Sequence, residues 1–203
     1  MTPARHDLLW VTPDAWAALL SSRLDLAAEP TIASWVPDGR PLVARASPSA
    51  DAPATIAAGL PLPGRRRIAL SLPAAALVRR ASPPPLAEAM DQAPAAWRPV
   101  CTTLVADAAP RVFGALLWQH VTGLPYLHPG SDLDLLWLEP TDPDAVVRSL
   151  LGVAASAPMT IDGEIVLRGF GVQWREFASG AETVLAKSLD GARLLPRRAL
   201  LRA

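Results

Sequence analysis

The segment YLHPGSDLDLLWLEP, residues 126–140, reads as a strand: a Pro-Gly-Ser turn leads in, Pro140 ends it, and an apolar run lies between. Alternate side chains of a strand share a face, so Asp132 and Asp134 project together, roughly 6–7 Å apart along the chain. Leu133 and Leu135 turn to the other face, where a helix can cover them. Two carboxylates this close repel each other unless a cation, a proton or a basic partner compensates. Magnesium suits such a pair, because it takes a few hard oxygen ligands from protein and the rest from water and phosphate. Gly130 allows close backbone approach, and Ser131 offers backbone N–H and hydroxyl donors to phosphate oxygens. A calcium loop fits poorly, since its fifth ligand position falls on Leu136 and its glycine on Trp137. A bare D-x-D is common, and the alternative is a pair of solvated acids at an exposed strand end.

Composition narrows the partners. Formal net charge is zero, which gives no electrostatic reason for bulk nucleic-acid or acidic-membrane binding. Lys187 is the only lysine, and the excess of arginine, with much Ala and Pro, matches a GC-rich coding bias. A single cysteine, Cys101, excludes an intramolecular disulfide framework and a cysteine zinc cluster. The N-terminus carries Asp7 and Asp14 in place of a continuous apolar h-region, and no apolar run reaches membrane-spanning length. The expectation is a soluble, cytoplasmic protein.

The clearest helix starts are VTPDAWAALL and TDPDAVVRSLLGVAA. Thr12 or Asp142 caps, Pro13 or Pro143 takes the first helical position, and Asp14 or Asp144 favours the positive dipole end. Val146, Val147, Leu150 and Leu151 form one apolar face of the second. TIASWV (31–36) and RPLVARAS (40–47) read as short strands around the turn PDG, and SPSADAPATIAAGLPLPG after them as irregular. RRRIALSLP alternates at Ile68, Leu70 and Leu72 as a half-buried strand. The densest breakers, ASPPPLAEAMDQAP (81–94), set a boundary between domains over 1–85 and 86–203. Beyond it VCTTLVADAAPRVFGALLWQHVTG reads as helical: Val112, Phe113, Leu116, Leu117 and Val121 fall at helical spacing, and Gly123 is the stop. MTIDGEIVL and GVQWREFA read as strands, the first with a possible hairpin turn at Asp162-Gly163, and AETVLAKSL as a short helix. ARLLPRRALLRA is a basic tail without a clear pattern.

Helix, then Gly-Ser, then D-x-D on an apolar strand resembles the nucleotidyltransferase superfamily, built around a mixed sheet with a third carboxylate on a neighbouring strand. RHDLLWV (5–11), GLPLPGRRR (59–67), GSDLDLL (130–136), DGE (162–164) and WRE (174–176), in that order, resemble one family more closely. It is the phosphoribosyl-dephospho-CoA transferase of malonate decarboxylase, and the resemblance runs from near the N-terminus to about Lys187. It implies an α/β (α+β) fold: a C-terminal nucleotidyltransferase-like mixed sheet with flanking helices, preceded by a smaller α+β domain. It further implies transfer of 2′-(5″-phosphoribosyl)-3′-dephospho-CoA from its triphosphate precursor to a serine of the apo acyl carrier subunit, releasing diphosphate. The family's two essential aspartates carry over onto Asp132 and Asp134, as catalytic residues and Mg2+ ligands. For the third acid, Glu176 is favoured over Glu164, since its flanks follow the apolar-acid-apolar pattern, and Asp162 is read as a turn former.

Arg65 and Arg67 share a strand face and suit phosphate, against the alternative of a charged edge; Lys187 suits a leaving diphosphate, against an exposed helix lysine. Arg175 reads as an ion-pair partner of Glu176, His128 as polar surface and the tryptophans as core. Two other functions stay open: a nucleotidyltransferase using ATP on a protein or small molecule, and a catalytically silent binding module of the same fold.

Overall fold

The computed structural model describes residues 3–46 and 54–201, which part into two compact units, Met1–Ser82 and Pro83–Ala203. Each is α+β, so the mixed fold class holds.

In the first unit, β1 (Leu8–Val11) leads to three helices, α1 (Pro13–Ser22), α2 (Leu24–Ala27) and α3 (Pro30–Ala33). The strands β2 (Leu42–Ala44), β3 (Thr55–Pro61), β4 (Arg67–Pro73) and β5 (Leu77–Ala81) follow. They form an antiparallel sheet in the order β4-β3-β2-β1-β5. The Thr12 side chain caps α1 by accepting from Ala15 N at 3.3 Å, as the sequence implies. Leu70 and Leu72 bury from β4 while their neighbours stay exposed, the period of a half-buried strand. TIASWV is helix and turn instead of strand, because Pro30 starts a helical turn that sinks Ile32 and Trp35 into the core. Of the stretch read as irregular, 47–53 lie outside the described residues, and Thr55–Pro61 form β3, paired along its whole length with β4. Tertiary pairing overrides a composition poor in strand formers. Asp7 is buried, and the Ala4 N–H at 2.7 Å and the Arg80 guanidinium at 3.2 Å compensate its charge.

The second unit runs α4 (Leu86–Ala89), α5 (Arg98–Ala108), β6 (Arg111–Phe113), α6 (Gly114–Thr122), β7 (Leu133–Leu138), α7 (Pro143–Ala154) and β8 (Ile161–Leu167). Then come β9 (Phe170–Gln173), α8 (Trp174–Ala178), β10 (Thr183–Ser188), β11 (Gly191–Pro196) and α9 (Arg197–Leu201). The strands stand in the order β11-β10-β9-β8-β7-β6, with β7 and β8 parallel and every other pair antiparallel. A parallel pair needs a long crossover, which α7 supplies. Asp142 caps α7 by accepting from Ala145 N at 2.9 Å; Val146, Val147 and Leu150 bury, and Leu151 is exposed. Burying Leu150 alone is worth about 2–3 kcal/mol.

Four readings change here. Val112 and Phe113 belong to the strand β6, not to a helix. Asp162-Gly163 sits inside β8, and the hairpin turns at Arg168-Gly169, both left-handed. Gly163 is needed for close approach: a Cβ there would lie 2.5 Å from the Leu135 carbonyl oxygen. WREFA is the helix α8, and AETVLAKSL gives the strand β10, whose apolar residues Val184 and Ala186 bury at period two. The basic tail forms β11 and α9.

Candidate active site

Strand register defines one face of the second sheet. Asp134 on β7 pairs with Phe113 on β6 and Asp162 on β8; Leu136 pairs with Glu164, which pairs with Gln173 on β9. Leu138, Val166, Gly171 and Lys187 continue the next row. Paired residues and their i±2 neighbours share a face, so Asp134, Asp162, Glu164, Gln173 and Lys187 all project to the same side. Leu133, Leu135 and Trp137 bury on the opposite side.

Asp134 lies under the start of α6. A Cβ on Gly114 would fall 1.8 Å from Asp134 Oδ2, and Gly114 turns from β6 into α6 at φ +66°. Only glycine satisfies both demands. The N-cap residue Phe113 makes no side-chain cap hydrogen bond, and the positive end of α6 faces the Asp134 region. Sequence reading missed Gly114; its signal is a glycine between a short apolar strand and an apolar helix, in RVFGALLWQ. Gln119 was missed too: Oε1 accepts from Tyr126 N and Leu127 N at 3.2 and 3.1 Å, pinning the loop after α6.

Asp132 stands just before β7 and is exposed, whereas Asp134 is half-buried within it. The turn ahead of them is closed on itself. Ser131 N donates to His128 O at 2.9 Å, His128 N to Ser131 Oγ at 3.0 Å, and Gly130 N to His128 Nδ1 at 3.1 Å. The backbone donors expected of Gly130 and Ser131 are therefore engaged in the turn itself.

The third acid is placed differently from the expectation. Glu176 is on α8, not on a strand, and its Oε1 accepts from Leu185 N at 2.6 Å. Glu164 is buried and turned toward Lys187, with Nζ 3.8 Å from Oε1. Asp162, read as a turn former, is the carboxylate in register with Asp134. Its Oδ1 accepts from Gly163 N at 2.8 Å and Gln173 Nε2 at 2.9 Å, and no hydrogen bond occupies Oδ2 among the described residues. Arg175 forms no ion pair with Glu176 among the described residues: it donates to Ile161 O at 2.8 Å and stacks 4.4 Å above the Trp174 ring. WRE is thus a fastener of α8 onto β8 and β10.

In the first unit Arg65 is not on a strand; it occupies the left-handed turn before β4, and Arg67 opens β4, both exposed. Arg66 between them is held by Glu29, at 2.5 and 2.6 Å. A cavity of about 260 Å³ between α1 and β4 has no carboxylate in its lining.

Among the described residues no three His, Cys, Asp or Glu side chains form a preassembled metal cluster. Two neighbouring carboxylates, one pressed against a helix start, still fit magnesium, which is held by one or two carboxylates together with substrate phosphates.

Comparison with known proteins decides the family. Residues 4–83 match the phosphoribosyl-dephospho-CoA transferase MdcG N-terminal domain model, and 77–198 match the corresponding C-terminal domain model. The chain belongs to the phosphoribosyl-dephospho-CoA transferase family. A family member from Xanthomonas campestris pv. campestris is 40% identical over 97% of this chain and 95% of its own. Another from Bradyrhizobium diazoefficiens is 39% identical over 96% and 91%, and one from Azotobacter vinelandii 32% over 96% and 93%. No solved structure matches. The chain is accordingly a transferase, and no helix among its described residues is long and apolar enough to cross a membrane.

Proposed function

We propose that this transferase moves 2′-(5″-phosphoribosyl)-3′-dephospho-CoA from its triphosphate precursor onto a serine of the apo acyl carrier subunit of malonate decarboxylase, releasing diphosphate. The observation that carries the reading is the Asp134 carboxylate lodged where Gly114 has no Cβ, beside the start of α6 and next to Asp132. Full-length similarity to the family supports the donor.

Asp132 and Asp134 would hold magnesium, with Asp162 as a third carboxylate through Oδ2. Bound there, the ion supplies charge neutralisation for the triphosphate and the departing diphosphate. The first amides of α6 favour phosphate oxygens through the helix dipole. The carrier serine oxygen bonds to the phosphorus next to the ribose, and the bond from that phosphorus to the bridging oxygen of the diphosphate breaks. The serine proton passes to a carboxylate of the site or to water. Positioning and charge stabilisation carry such a reaction, without a dedicated strong base.

The test combines purified protein, magnesium, the triphosphoribosyl precursor and apo carrier subunit, with intact mass of the carrier as readout. A mass gain matching the prosthetic group is expected. It should vanish with EDTA and in folded Asp132→Asn and Asp134→Asn variants. A nucleotide-sized gain from ATP instead would overturn the donor, and full activity of both variants would overturn the site.

A further inference from the structure

Three observations converge on Lys187. First, its ion pair is lopsided. The Glu164 side chain is 7% exposed and the Lys187 side chain 33%, so a buried carboxylate fixes an ammonium that opens toward solvent. Second, Nζ is 3.8 Å from Oε1, beyond hydrogen-bond length, and donates no hydrogen bond among the described residues. All three donors remain for another acceptor. Third, the backbone is cut away to allow this arrangement: a Cβ on Gly171, the register partner of Lys187, would lie 2.6 Å from Glu164 Oε2. The surrounding sheet face is open, with Leu185 36% and Leu194 69% exposed as a cross-strand apolar pair beside the ammonium. In a chain whose other side-chain cations of that class are all arginine, the one lysine is the register partner of Gly171 and faces Glu164.

The register also shows which phosphate this cation would meet. Lys187 is three strands from Asp134 in the sheet. It is also four residues further along the strands, so at about 4.8 Å per strand and about 3.3 Å per residue the two backbones are on the order of 20 Å apart. The Lys187 side chain, turned toward Glu164, shortens this to on the order of 14 Å, too far for the leaving diphosphate of a group held at Asp134. In the donor, two riboses separate the transferred phosphorus from the diphosphate that joins adenosine to pantetheine, a span of the same order.

We propose that Lys187, positioned by Glu164, is a second phosphate subsite that binds the adenosine–pantetheine diphosphate of the donor, with the pantetheine arm lying over Leu185 and Leu194. It rests on the donor assignment above and adds the path the donor takes across the sheet.

The single lysine makes the test direct. Native protein receives a short pulse of an amine-acetylating reagent, and acetylation of Lys187 is read by peptide mass spectrometry. Dephospho-CoA carries the diphosphate and the arm but no triphosphate, and pantetheine carries the arm alone. Saturating dephospho-CoA should slow Lys187 labelling at least fivefold, while pantetheine leaves it unchanged. Carrier transfer is run on the same preparation with Lys187→Gln and with the Glu164→Gln/Lys187→Gln double variant, which leaves no charge stranded. Both should raise KM for the donor about tenfold with kcat retained. Labelling that ignores dephospho-CoA, or no dephospho-CoA binding, while transfer proceeds overturns the subsite and spares the reaction. Protection by dephospho-CoA without any transfer supports the subsite and overturns the reaction. A fall in kcat with KM unchanged, in both variants, overturns the assigned role.

Discussion

Gly114→Ala tests the site through the contact that builds it. The added methyl meets Asp134 Oδ2 at 1.8 Å, Cγ at 2.5 Å and Cβ at 2.9 Å, and the backbone is left-handed at φ +66°. Left-handed strain on a non-glycine residue costs about 1–2 kcal/mol. Relieving the overlap, by rotating Asp134 away or lifting α6, adds about 1–3 kcal/mol. Gly123→Ala is the internal control: it has φ +69° at the other end of the same helix and nothing within 4 Å of the added methyl. It should lose the strain cost alone and keep full transfer. Urea unfolding of both variants therefore isolates the contact with Asp134 as the difference, a midpoint shift of roughly 0.5–1.5 M. Transfer by Gly114→Ala should fall about a hundredfold, since a displacement of about 1 Å at a reacting centre costs that much. Truncating Asp134 in the Gly114→Ala background should recover part of the stability, a non-additive cycle. Equal destabilisation by both glycine variants, with transfer intact in both, would refute the placement of Asp134 under the helix.

Other consequences are as concrete. Burial pushes the Cys101 thiol up to about 11, so iodoacetamide should label it at pH 8 at least about a hundredfold more slowly in native than in urea-denatured protein. The Asp142 carboxyl is held below its ordinary value, chiefly by the Ala145 N–H and further by Arg148. A depressed carboxyl stabilises above its unfolded value, near pH 4, and that stability is lost as pH falls through the lower folded value. The margin of the wild type over Asp142→Asn should therefore be present at pH 7 and vanish toward pH 2 in acid-unfolding curves; a pH-independent margin would contradict the cap electrostatics. Gly163→Ala puts a methyl 2.5 Å from Leu135 O and 3.1 Å from the Trp137 ring. It should cost about 1–3 kcal/mol in denaturant unfolding, as β7 and β8 are forced apart.

Local signals made part of this legible. The caps at Thr12 and Asp142, the stop at Gly123 and the strand that carries Asp134 depend on neighbouring residues and stand as read, whereas Asp132, read onto the same strand, falls just before it. Misreadings fall where distant pairing decides. AETVLAKSL is compatible with a helix until β9 and β11 claim it, and Asp162-Gly163 looks like a turn until β7 runs alongside. The same cause misdirected the third acid. Glu176 has the right flanks in sequence, yet Gln173 caps a helix there, accepting from Arg175 N and Glu176 N, and withdraws it from the sheet. The partners of Asp134 across β6 and β8 were beyond reach from sequence, because register is set by three-dimensional pairing.

The acid pair itself is unequal in stiffness. Asp134 is fixed three ways, by its strand, by its register partners and by the bare face of Gly114, while Asp132 stands outside β7 in solvent. The conformational entropy lost when a phosphate-bearing substrate closes the site therefore falls mainly on Asp132, at about 0.5–1.5 kcal/mol for one ordered side chain. Asp134 has lost its share already, at folding. In the proposed reaction one carboxylate would serve as the fixed jaw and the other as the moving one, letting the site grip a triphosphate and then slacken around its products without disturbing the sheet.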